Sequence, residues 1–155
     1  MAKGGIQINL KGFEKMLEQL KEAEKDVDRV TASAIEESAK IVESELLAAA
    51  SASNVPSDIT SKIRIQTSKE GDRYKAEVGW EMVNYDPKNP SAGYKAIFLN
   101  YGTVRRQTAK GYNRGEIPKK ASDQQFIHAA KKAARPKVRK AQQEIIKKAL
   151  GDLEK

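Results

Sequence analysis

From Phe13 to Ala50 the chain runs 38 residues without a single Gly or Pro. Phe13, Met16, Leu17, Leu20, Ala23, Val27, Val30, Ala34, Ile41 and Val42 recur mostly at steps of three and four, which predicts one apolar stripe on a helix reaching Leu46 or Ala50. A straight helix of that span would be a rod of roughly 57 Å. A compact chain of 155 residues has a radius of gyration near ~15 Å, hence a diameter of about 40 Å. The helix must therefore bend or project onto a neighbour. The charged run Glu24-Lys25-Asp26-Val27-Asp28-Arg29 is where a bend is expected, and the breaker cluster Ser51 to Asp58 is where the helix should stop.

Around that helix the pattern changes twice. Ile6 to Leu10 alternates apolar and polar residues, as a short strand does. Ile63 to Thr67 and Tyr74 to Trp80 also alternate, and Lys69-Glu70-Gly71-Asp72 lies between them, which predicts a β-hairpin. Asn84 to Gly93 reads as a loop, and Tyr94 to Tyr101 as either a third strand or a short helix. Thr103 to Pro118 has no periodicity but carries Arg105, Arg106, Lys110 and Arg114, a long basic loop of the kind that is usually functional or disordered. Two helices are expected to close the chain. Ser122 and Gln125 would form a capping box for the first, and Pro136 would open the second. The expected fold class is α+β: a long N-terminal helix and two C-terminal helices on a small antiparallel sheet, in one domain spanning 1–155.

The chemistry available is narrow. The chain has no cysteine and one histidine, His128. That excludes thiolate nucleophiles, Cys-based metal sites and His clusters. No phosphate-cradling glycine motif occurs. The pairs Glu14–Glu18 and Glu18–Glu22 share a helix face, but among lysines at helical spacing they read as solvated surface. Neither an enzyme nor a bound cofactor or metal is expected. No apolar run is long enough for a membrane span, and synthesis in the cytoplasm is expected.

Charge is distributed unevenly. Residues 1–50 hold 7 Lys/Arg against 10 Asp/Glu, whereas residues 119–155 hold 11 against 4. Two outcomes fit this asymmetry besides plain solvated helix faces: head-to-tail self-association, or a basic surface meeting nucleic acid or another acidic partner. Tyr112, inside the basic loop, could stack on a base. No helix-turn-helix, zinc ligand set or aromatic RNA-binding strand accompanies the cations.

The segment Ala96-Ile97-Phe98-Leu99-Asn100-Tyr101-Gly102-Thr103, followed by a polar loop, resembles the aromatic-Gly-Thr signature of the HK97 gp10-like family of tailed-phage neck or tail-completion proteins. Gln124-Gln125-Phe126-Ile127-His128-Ala129-Ala130 is similar to that family's Gln-Pro-Phe-Leu-Arg-Pro-Ala segment, and the helix from Gly12-Phe13 to Leu20 matches its layout. Asn100 stands where the family commonly has Glu, and Gln125 and Ala129 replace prolines.

The resemblance implies a structural virion protein, made in the host cytoplasm and located at the neck or top of the tail. It implies a ring, commonly of six copies, between head-completion adaptors and the tail tube or tail terminator, with DNA passing through. On this reading Tyr101 anchors the end of an ordered segment in the core, Gly102 permits a turn, and Thr103 opens the loop. Arg105, Arg106, Lys110 and Arg114 meet DNA or an acidic partner. The helices carrying Phe13, Leu17, Phe126 and Ile127 meet neighbouring subunits. The alternative is a non-specific DNA-binding protein using the basic loop and C-terminal helices.

Overall fold

A computed structural model describes residues 5–23, 26–103 and 117–151. Strand β1 (Ile6–Ile8) precedes helix α1 (Glu14–Glu22) and the long helix α2 (Val27–Ala52). A single-turn helix α3 (Ser57–Thr60) leads into strands β2 (Ile63–Glu70) and β3 (Arg73–Trp80). Helix α4 (Ala92–Tyr101), a 3₁₀ turn (Ser122–Gln124) and helix α5 (Phe126–Gly151) complete the order. This is the expected α+β class.

The long stripe divides inside the expected run. Asp26 caps α2, its carboxylate accepting the Arg29 N–H at 3.0 Å. The division has a packing cause: the stripe feeds two cores. Phe13, Leu20 and Val30 close on Ile146 of α5. Ile35, Ala39, Val42, Leu46 and Ala50 face the sheet and the first half of α5. At its far end α2 stops in a Schellman motif. Asn54 sits at φ 55, its N–H reaches the Ser51 carbonyl, and the Val55 N–H reaches the Ala50 carbonyl, both at 3.0 Å. Asn54 is thus the residue of the breaker cluster that turns the chain.

The sheet is antiparallel, in the order β1-β3-β2. Ile63 pairs with Trp80 and Ile65 with Val78, so the alternation on both strands points to one face. The hairpin is tighter than the sequence suggests: pairing persists to Glu70 opposite Arg73, leaving only Gly71 and Asp72 in the turn. Gly71 takes φ 59 there, at the first turn position, where a two-residue hairpin needs a positive angle. Trp80 anchors the core. Its indole N–H donates to the Ile59 carbonyl at 2.7 Å, and its ring meets Phe126 edge to face at 6.1 Å.

Tyr94 to Tyr101 is a helix. Gly93, Ala96 and Asn100 are its buried residues, and the small ones let α4 close onto the end of β3. A Cβ at Gly93 would stand 2.8 Å from the Glu81 carbonyl oxygen.

The C-terminal segment departs from expectation. Pro136 does not start a new helix; it lies inside α5, which is continuous over 26 residues. Pro136 and Lys132, whose carbonyl loses its usual donor, are both exposed. On the opposite side Ala130 and Ala134 pack into the sheet core, and Ile146 into the second core, holding both halves of the helix on α2. The helix also begins later than a cap at Ser122 would place it. Ser122 belongs to the 3₁₀ turn and α5 starts at Phe126, where the amide of Gln125 donates to the Lys120 carbonyl at 3.2 Å.

Candidate functional site

The motif at the end of α4 ties three separate stretches of chain together. The Gly102 N–H closes the helix on the Phe98 carbonyl at 2.8 Å. Gly102 then turns out at φ 87, a conformation that L side chains resist. The space is closed as well: a Cβ there would lie 2.5 Å from the Pro118 carbonyl oxygen and 2.7 Å from the Lys119 Cα. Glycine is required at this position on both counts.

Thr103 acts as a clasp. Its N–H donates to the Ile117 carbonyl at 2.8 Å, and its hydroxyl accepts the Ile117 N–H at 2.9 Å. The Lys120 N–H adds a longer bond to the Tyr101 carbonyl at 3.3 Å. The chain therefore leaves at Thr103 and returns at Ile117 through a two-bond closure. Arg105, Arg106, Lys110 and Arg114, with Tyr112, fall between those two residues and outside the described residues.

Asn100 supplies the third tie. It is fully buried, and its Oδ1 accepts the Ile127 N–H at 2.9 Å. That donor is one of the first-turn N–H groups that α5 cannot satisfy itself. Among the described residues Asn100 Nδ2 has no hydrogen-bond partner. This role was not read from the sequence, where Asn100 drew notice only as a departure from Glu. The available signal was a carboxamide in an otherwise apolar run, followed at once by Tyr-Gly-Thr.

Tyr101 does not anchor the core. It is 43% exposed, because the inward positions of α4 fall at Gly93, Ala96 and Asn100 and leave the next residue facing out. The side chains of Phe13, Phe126 and Ile127 are buried within the subunit, and Leu17 is half-buried against the same cluster as Phe13. What these helices offer to a neighbour is their outer surface. On α5 that surface is basic: the helix carries eight Lys/Arg and one Glu. Lys137 bonds Glu45 of α2, and Lys140 stands 3.9 Å from Glu144. His128 is exposed on the same helix.

Among the described residues no group of three His, Cys, Asp or Glu side chains is placed to hold a metal ion. None of their helices is long and apolar enough to cross a membrane.

The sequence model of the family described as "Bacteriophage HK97-gp10, putative tail-component" matches residues 14–102. The chain belongs to the HK97 gp10-like family. The match begins with α1 and ends on Gly102, so α5 and the segment Gln124 to Ala130 lie beyond it. Membership makes this chain a structural component of a phage tail, working with other virion proteins. No curated protein and no solved structure matches it.

Proposed function

We propose that this HK97 gp10-like chain is a tail-completion or neck subunit working as one domain without catalytic activity. It forms a ring, of six copies, between the head adaptors and the tail tube or terminator, through which DNA passes. Family membership supports the tail assignment. The observation that carries the finer reading is the closure of Thr103 on Ile117. It holds both ends of the stretch carrying Arg105, Arg106, Lys110 and Arg114 at the α4–α5 junction, as befits cations that meet passing DNA or an acidic partner surface.

A null allele in the phage or prophage, with the lysate viewed by electron microscopy, tests this. Full-length tails lying apart from DNA-filled heads are expected; intact virions would remove the role. The eight cations of α5 support a second reading, non-specific DNA binding. That reading requires affinity for free duplex that falls steeply with salt and is lost on deleting residues 105–114. For the neck subunit the same deletion leaves the fold intact and blocks assembly.

A further inference from the structure

Between β1 and α5 lies an open groove of about 440 Å³. Ile6, Ile8, Val42, Ala134 and Val138 contribute an apolar floor. Lys131, Arg135 and Arg139 stand along one wall at successive four-residue steps, and among the described residues no carboxylate lines the groove. None of these three cations has an ion-pair partner among the described residues. The opposite wall is β1, which among the described residues is an edge strand paired only with β3, and whose outer main-chain groups can accept another segment. The groove thus calls for an acidic stretch with apolar side chains.

The chain has such a stretch. Residues 81–86, Glu-Met-Val-Asn-Tyr-Asp, follow β3 in neither helix nor strand. Val83 is 51% and Tyr85 47% exposed, two of the four large hydrophobics most exposed among the described residues. Glu81 and Asp86 bracket them, both exposed. Tyr85 is held by Tyr94 of α4, their ring centroids 4.9 Å apart.

We propose that the groove between β1 and α5 receives residues 81–86 of a second copy of this chain. The two surfaces share no residue, so the contact is heterologous, the kind that builds a ring where the rotation between copies closes. The inference rests on the ring reading above and names the contact that builds it. Opposed charge sets register and speeds encounter, while Val83 and Tyr85 supply the apolar burial.

The absence of cysteine makes a disulfide test clean. Particles carrying Val83→Cys together with Arg139→Cys are oxidised and run on a denaturing gel. A ladder of covalent multimers is expected from the double variant, with nothing beyond a dimer from either single variant. An amine-reactive crosslinker on wild-type particles tests the ring by itself. Multimers there, with only monomer from oxidised double-variant particles, would overturn this contact and leave the ring standing. No multimers from either treatment would overturn both.

Charge reversal gives an independent readout. Arg135→Glu with Arg139→Glu should reduce incorporation into particles at least about tenfold, and adding Glu81→Lys with Asp86→Lys should restore it. If the arginine variant folds and assembles normally while losing affinity for duplex DNA, the groove serves phosphate and the proposal fails.

Discussion

Asn100 Oδ1 lies 2.9 Å from the main-chain nitrogen of Ile127, so a side chain on the last turn of α4 caps the first turn of α5 across 27 residues of sequence. Helix caps are normally local, supplied by the residue just before the helix. Here the cap comes from another helix, and it makes the start of α5 conditional on α4 being docked.

Asn100→Leu should therefore cost about 1–3 kcal/mol, because the Ile127 N–H is left buried without an acceptor. Asn100→Asp should cost less. It keeps the acceptor, removes the donor that has no partner among the described residues, and sets a carboxylate at a helix N-terminus. Urea unfolding of the three proteins would rank them; equal loss in both variants would reject the cap.

Gly102 and Gly71 both take positive φ, at 87 and 59, but only Gly102 is also crowded. Nothing lies within 4 Å of a Cβ at Gly71, whereas at Gly102 the Pro118 oxygen is at 2.5 Å. Gly71→Ala should cost about 1 kcal/mol from backbone strain alone. Gly102→Ala should cost several-fold more, read as a markedly larger drop in thermal midpoint.

Thr103→Val removes the acceptor for the Ile117 N–H while keeping the side-chain shape. Amide exchange at Ile117 should accelerate about five-fold or more, as loss of a bond worth about 1 kcal/mol implies. Thr103→Ser should retain protection. Similar exchange in the valine and serine variants would show that the main-chain bond to Ile117 suffices by itself.

Glu14 opens α1 with its carboxylate held below the ordinary range, first by its own main-chain N–H and then by that of Gly12. A lowered folded-state pKa means that the carboxylate stabilises the protein above the ordinary pKa of 4.5. That stabilisation is lost as pH falls through the lower folded value. Thermal unfolding from pH 7 down to pH 2 should show a smaller acid-induced drop for Glu14→Gln than for wild type. Parallel curves would exclude the contribution.

Periodicity, turn chemistry and length together made most of the architecture legible in the sequence. The stripe from Phe13 to Ala50 required a helix too long for the globule. The hairpin followed from alternation on both sides of Gly71, and the Tyr-Gly-Thr motif pointed to the family. Each of these signals is local, set by neighbours within a few residues. Eight residues from Tyr94 to Tyr101 were too few to separate helix from strand. The choice fell to the close approach of Gly93 to β3. Pro136 reads locally as a helix start, yet packing on α2 at both ends carries α5 straight through it. Asn100 reads as a polar substitution, and Tyr101 as an anchor, until α4 is rolled onto the sheet. Only then is Asn100 turned inward against the end of α5 and Tyr101 outward. Local sequence determined where helices and strands form. The tertiary contacts decided which residues face in and which helix ends are capped, because burial and partner distance exist only once the elements have packed.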